Sequence, residues 1–428
     1  MAALHFSTAI SSIAFWLFVL LAWFHNGSRG KVVGMVGTTK ASDFIGYSRV
    51  GWVLILWFIV LVFRSVYSGL ELHFATQETS KSWMEAMQEG GLIRELQSKS
   101  PLFLLGIGFL IKWKFNWQIG RNWMYLLLPF FWIITASCIH YFQHFTFYSQ
   151  MVLESKPIPM YTQVYHIEFG AMAGIVLLIP VYANLMLKER EWRWGKWVWI
   201  VWLITVIGFH ILALRTGLIL FYLGMAMIFF RYIFAVGNLD KLARRQWIQR
   251  TVILVGLILL TISVIPSTRN RIVNTWQDIS GVVRGGDANH RSVGQRVLAW
   301  KAAIGLIKEN PWGAGIHGEF DAIMNQYDAQ KIPLQVQHRI GIHNQWLESA
   351  AQSGWMVLLV MTIFYWAIYK GGFSLLWMSL MGFSMVIESM LERQAGMLLF
   401  AFLLVFTVSL PRKNKEKEED FQFNEGIS

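Results

Sequence analysis

Between Pro266 and about Ala350, a chain otherwise built from apolar runs carries one long polar stretch. It holds Arg269, Arg271, Arg284, Arg291, Arg296 and Arg339, and it closes on His343-Asn344. Arginine grips phosphate because its planar guanidinium donates two parallel hydrogen bonds. Histidine exchanges protons near neutral pH because its unperturbed pKa lies there. Together these residue types suit the binding of an anionic substrate and the transfer of a proton. Arg296 and His343 are candidates for those two jobs, and Arg291 and His338 for further substrate contacts. The spacing of His338 and His343 is not a metal motif and no acidic ligand stands close by, so neither metal nor cofactor is expected.

Three more segments add to this set. Arg215 lies in FHILALRTGLILFYLG, between two apolar runs. An arginine there is costly unless it is paired or faces water, which makes it a third catalytic candidate; the alternative is a charge reaching out to lipid headgroups. Thr216 and Gly217 after it permit a tight turn or close helix contact. Glu388 and Arg393, in VIESMLERQAG, stand at the end of another apolar run and are either substrate contacts or interface markers. His166 and Glu168, in QVYHIEFGAMAG, line a cavity, or the segment serves helix packing through Gly170, Ala171, Ala173 and Gly174.

These residues need elements to place them. Val293, Val297, Trp300, Ile304 and Ile307 recur at helical spacing, which predicts an amphipathic helix over Ser292–Asn310. Pro311 ends it, since a residue before proline avoids the helical region. Trp300 and the aliphatic stripe predict a helix lying near a membrane surface, with Arg291 and Arg296 on its first turns. Pro311-Trp312-Gly313-Ala314-Gly315 reads as a tight turn that shapes the loop. A further helix is expected after His343, with Trp346, Leu347, Ala350 and Ala351 on one face. Trp312 and Trp346 are candidates for stacking on a substrate or for core packing.

The chain has 428 residues, 55% of them hydrophobic and only 14% charged. Soluble proteins carry roughly 25% charge, so this composition predicts an all-α, polytopic membrane protein. Apolar runs near 7–25, 50–67, 102–113, 123–141, 163–187, 196–214, 216–235, 249–266, 350–369, 372–388 and 395–410 give about eleven spans. The first lacks a basic leader and reads as a retained anchor. The expected organisation is a transmembrane bundle over 1–266, a catalytic loop with amphipathic helices over 267–349, helices over 350–410 and a tail over 411–428, with no added soluble domain. The net charge of +12 fits anionic lipid rather than nucleic acid, because no basic cluster is built like a nucleic-acid module. Cys138, the single cysteine, excludes an intramolecular disulfide and a cysteine metal site.

Orientation follows from the short loops. Arg29 to Arg49, Lys112 to Arg121, Lys188 to Lys196, Lys241 to Arg250 and the tail from Arg412 to Lys417 are all basic, and they alternate as cytoplasmic loops should. The long loop then falls outside although it is basic. Long loops translocate largely regardless of charge, and an anionic substrate supplies a reason for the arginines.

In this order the motifs resemble those of the bacterial O-antigen ligase family, within a larger ligase and polymerase superfamily. The matching pieces are Arg215-Thr216-Gly217 after a span, Gly294-Gln295-Arg296 opening the loop helix and Asn310-Pro311. Ile342-His343-Asn344 before Glu348 follows, and then Glu388 and Arg393 in the last external turn. The resemblance runs from about residue 50 onward. Members resemble type-C glycosyltransferases, with about twelve spans against about eleven here. Where they often have alanine after the first arginine, this chain has Thr-Gly.

The resemblance implies transfer of a polysaccharide from undecaprenyl diphosphate to a sugar of the lipid A core, without metal. The reaction would take place at the periplasmic face of the bacterial inner membrane, among inner-membrane lipids. Three other readings stay open on the residues alone: an O-antigen polymerase, a protein O-oligosaccharyltransferase, and a lipid-linked sugar transporter. A transporter would set its ionisable residues at mid-membrane depth within repeated halves; here the candidates gather at one face.

Overall fold

A computed structural model describes residues 49–64, 66, 92–110, 119–153, 156–162, 164–186, 196–235, 249, 256, 263, 266–284, 287–289, 291–315, 318–371 and 374–409. Regular structure among the described residues is helical, with no strand. The runs read as spans near 7–25 and 249–266, and the tail, lie outside the described residues apart from isolated positions.

Runs that are apolar on every side have no polar face to turn to water, so they pack into a bundle. Its members are α1 (49–64), α2 (Leu92–Leu110), α3 (Ile119–Gln143), α4 (Phe145–Leu153), α5 (His166–Val176), α6 (Leu178–Met186), α7 (Lys196–Leu212) and α8 (Arg215–Ala235). Further along the chain α13 (Trp355–Lys370), α14 (Leu375–Ile387) and α15 (Gln394–Ser409) join them. Leu177, between α5 and α6, keeps a right-handed helical backbone, so His166–Leu185 runs as one apolar stretch of 20 residues. At about 1.5 Å per residue that is about 30 Å, a bilayer core. It is the one helix among the described residues long and apolar enough to cross a membrane; the other apolar stretches are shorter.

Two features of the bundle place the site. The turn before α8 is made at Ala213, which holds a left-handed φ of 49°. Behind it α5 and α8 touch backbone to backbone. A Cβ on Gly217 would stand 2.2 Å from the Gly170 carbonyl oxygen, and one on Gly174 2.4 Å from that of Gly217. The small residues of both segments therefore serve close packing, as read from the sequence. Elsewhere α2 starts ten residues before the predicted span. Its early turns bury Lys99, which a hydropathy reading would leave outside, because the charge is paired.

The polar stretch is largely helical and has its own core. It contains α9 (Pro266–Val283), α10 (Ser292–Glu309), α11 (Gly318–Ala329), a single 3-10 turn (Val336–His338) and α12 (Gln345–Ser353). The predicted helix from Ser292 is present, but the face that it buries is the alanine one. Ala299, Ala302, Ala303 and Leu306 pack with Ile323 and Tyr327 of α11, while Val297 and Ile304 stay exposed. Alanines let two helices approach closely; of the larger stripe, Trp300 and Ile307 still pack partly on this core.

Trp346, Leu347 and Ala351 do not share one face. Trp346 packs on the bundle against Tyr365, whereas Leu347 and Ala351 belong to the loop core. Helix α12 thus joins the two cores. The Pro311–Gly315 turn covers its end: Ala314 and Gly315 donate backbone N–H groups to the carbonyls of Ala351 (2.7 Å) and Gln352 (3.0 Å). Gly313 has φ +90°, and a Cβ there would stand 2.5 Å from the Gln352 carbonyl oxygen. Arg64 of α1 ties the turn down by donating to the carbonyls of Gly313 (2.5 Å) and Gln352 (3.3 Å). Trp312 remains exposed beside Trp355.

Candidate active site

His343 is aimed by contacts on both sides. Upstream, Tyr327 Oη donates to the Ile340 carbonyl and Trp300 Nε1 to the Ile342 carbonyl, each at 3.0 Å. The Ile342 side chain is buried in the loop core. Downstream, Asn344 caps α12, its Oδ1 accepting from the backbone N–H groups of Trp346 (3.0 Å) and Leu347 (3.2 Å). Between these anchors His343 takes a left-handed φ of 46°. A non-glycine residue in that region is uncommon, and such strain gathers at functional sites.

The partner is Glu388, which ends α14 and whose side chain is only 3% exposed. Its Oε1 accepts from His343 Nδ1 at 2.7 Å, and its Oε2 lies 3.5 Å from Arg296 Nη2. One carboxylate therefore joins a histidine from the loop's end to an arginine from α10. Burial pushes the Glu388 carboxyl up. The hydrogen bond and charge of His343, with the charges of Arg296 and Arg393, outweigh that and hold it below the ordinary range. The imidazole ring is 27% exposed. With Nδ1 turned to a carboxylate, Nε2 is the nitrogen left to take a proton, the arrangement by which a carboxylate orients a histidine base.

Arg215 opens α8 and Arg296 acts on it electrostatically, so two guanidinium groups share one region. Arg215 Nη1 lies 3.7 Å from Asp278 Oδ2 of α9. Its Nε and Nη2 are buried without a hydrogen-bond partner among the described residues. Burial raises the Asp278 carboxyl above its ordinary value despite the attraction of Arg215. A buried guanidinium with unused donors is costly unless an anion takes them. Asp278 was not singled out in the sequence, where it is one acid in a polar stretch.

Arg393 lies beside the cluster. Its Nε is 3.1 Å from Glu168 Oε1 and its guanidinium stacks over the Tyr165 ring at 4.3 Å, with the side chain 46% exposed. Glu168 is thus a buried partner of Arg393. Arg291 is turned away to α9, donating from Nη1 to the Gln277 carbonyl at 2.8 Å. His338 stays half-buried in the turn Val336–His338. Arg339 forms a two-point pair with Asp328, at 3.0 and 2.5 Å, over the Tyr327 ring. So His343, Arg296 and Glu388 are brought together with Arg215 and Arg393 around them, whereas Arg291 and Arg339 brace the loop. Glu388, expected as a substrate contact, is buried beneath His343 with both oxygens engaged.

Among the described residues no group of three or more His, Cys, Asp or Glu side chains is arranged as metal ligands. Cys138 is buried and free.

No curated protein matches the chain. Residues 169–362 match the model of a family described as O-antigen ligase. The match runs from α5 into α13 and includes Arg215, Asp278, Arg296 and His343; Glu388 and Arg393 lie beyond it. Proteins of this family are integral to the bacterial inner membrane and act as glycosyltransferases of the ligase and polymerase type on lipid-linked polysaccharide. The motif order agrees with this match, and over residues 169–362 the chain is similar to the O-antigen ligase family.

Proposed function

We propose that the protein is an O-antigen ligase. It moves a polysaccharide from undecaprenyl diphosphate to a hydroxyl of a lipid A-core sugar at the periplasmic face of the inner membrane. The observation that carries this reading is the Glu388 carboxylate shared by His343 and Arg296, next to the buried, unused donors of Arg215.

In this reading Arg215 and Arg296 hold the donor's diphosphate. His343 Nε2 takes the proton of the acceptor hydroxyl as its oxygen attacks the anomeric carbon. The bond from that carbon to the phosphate oxygen breaks, and its electron pair stays on the diphosphate, where the two guanidinium groups stabilise it. Attack opposite the leaving group inverts the anomeric centre. Glu388 holds Nδ1 and supports the imidazolium that forms. Two arginines supply the positive charge that the leaving group needs, so neither metal nor cofactor is called for.

The test is the lipopolysaccharide of a deletion strain, read on a gel and complemented with the intact chain. A ligase predicts core-only lipopolysaccharide with polymer stranded on its carrier. Core capped with a single repeat would instead mean a polymerase. Unchanged lipopolysaccharide with loss of glycan from an exported protein would mean a protein O-oligosaccharyltransferase.

A further inference from the structure

His343 and Glu388 come from separate segments, and a buried polar clamp holds those segments together. Gln345, the first residue of α12, is two positions after His343 and buried. Its Oε1 accepts the backbone N–H of Leu391 at 2.6 Å. Its Nε2 donates to Glu392 Oε1 at 2.8 Å and to Ser349 Oγ at 3.0 Å. Leu391 and Glu392 belong to the 3-10 turn Met390–Glu392 that follows Glu388, and Met390 N donates to the Glu388 carbonyl at 2.8 Å. From the other side Lys99 of α2 lies 3.3 Å from Glu392 Oε2 and donates to the Leu391 carbonyl. Ser389 Oγ also donates to Glu348 of α12.

The chemistry of this clamp is specific. Gln345 must accept from an N–H and donate to a carboxylate at once, which only an amide does at that length. Glutamate there would face Glu392 as a like charge, and leucine would leave the Leu391 N–H and a carboxylate oxygen unpaired. Lys99 is buried and paired, so losing it removes the ammonium that lies 3.3 Å from the buried Glu392 carboxylate. A stabilising contact could sit anywhere in the bundle, but this one spans the two segments that carry the halves of the dyad.

We propose that Gln345 and Lys99 are positioning residues that hold Glu388 at hydrogen-bonding distance from His343 Nδ1. This rests on the reading of His343 as the base. A displacement of about 1 Å at a reacting group costs on the order of 100-fold in rate. The clamp itself touches neither Arg215 nor Arg296, and Glu388 meets Arg296 at 3.5 Å against 2.7 Å for His343, so its loss should fall more on the histidine than on the diphosphate grip.

The experiment uses the full purified chain and the variants Gln345→Leu, Gln345→Glu and Lys99→Met. Turnover with a polyprenyl-diphosphate-linked donor is expected to fall about 10- to 100-fold, with KM for the donor little changed. The pH–rate limb that His343 supplies should move. Gln345→Leu added to Glu388→Gln should cost little beyond Glu388→Gln alone, because both act through one hydrogen bond.

A second readout needs no substrate. The NMR titration of ¹⁵N-labelled His343, identified by its loss in His343→Gln, should shift in Gln345→Leu and Lys99→Met. The charged groups around that ring are Glu388 from α14, Arg296 from α10 and, through Glu388, Arg393; none is altered by these variants. An unmoved titration, undiminished turnover, or a loss confined to KM would overturn the proposal. Lack of transfer by the wild-type chain would instead count against the ligase reading, and the titration would still decide the clamp. If Gln345→Leu does not fold, Lys99→Met and Glu392→Gln carry the same expectations from other elements.

Discussion

Glu388 Oε1 and His343 Nδ1 lie 2.7 Å apart, and the contact decides which ring nitrogen is available. Glu388→Gln offers an amide that donates to Nδ1, which forces the proton onto Nε2 and removes the base. Turnover should fall about 10²- to 10⁴-fold, and His343→Ala should match it, since a well-placed general base contributes that much. Binding of the carrier-linked donor, followed by photocrosslinking, should persist in both. A pH–rate profile that keeps its limb in His343→Gln would reject the histidine as the titrating base.

Arg215 and Arg296 are assigned to the diphosphate. Lysine keeps the charge but loses the two-pronged donor, so each Arg→Lys change should lower kcat/KM by roughly 10- to 100-fold, the worth of one charge-assisted bond. The Arg215→Lys, Arg296→Lys double variant should be well expressed and inactive. Full transfer by it would sink the clamp on diphosphate. Arg291→Lys should be mild, because Arg291 already donates to the Gln277 carbonyl.

Glu348 and Glu388 should act oppositely on stability. Burial, followed by the charges of Glu392 and Glu319, raises the Glu348 carboxyl. A raised carboxyl contributes stability that is full below its unfolded value and lost as pH rises through the folded one. Glu348→Gln should therefore raise the melting temperature at neutral and alkaline pH, and do little under acid. Glu388 is held low. Its contribution is present above the ordinary carboxylate range and lost as pH falls through the depressed value, so Glu388→Gln should lose stability at neutral pH but not in acid. Melting curves across pH check both; a Glu348→Gln protein that melts lower at alkaline pH would contradict the first.

The basic short loops predict sides of the membrane. Reporter fusions after Asn325 and at Lys415 should report opposite compartments, with the first external. Both on one side would overturn the placement of the site.

Hydropathy, the helical repeat and Pro311 were enough to place the described apolar helices, the helix from Ser292 and the turn after it, because each depends on neighbours within a few turns. Arg215, Arg296 and His343 also stood out as candidates, since charged residues are scarce against so apolar a background. Local pattern failed where a distant partner decided the outcome. Lys99 reads as an exposed charge until Glu392, far along the chain, neutralises it inside the bundle. The alanines of α10 carry no hydropathy signal of their own, and only the approach of α11 shows them to be its buried face. Glu388 reads as a surface contact until the fold lays His343 and Arg296 over its two oxygens. An ion pair or a close helix contact is set by distance in space, and no period along the chain encodes that distance; residue type told which groups can react, and the packing of α8, α10, α12 and α14 decided which of them meet.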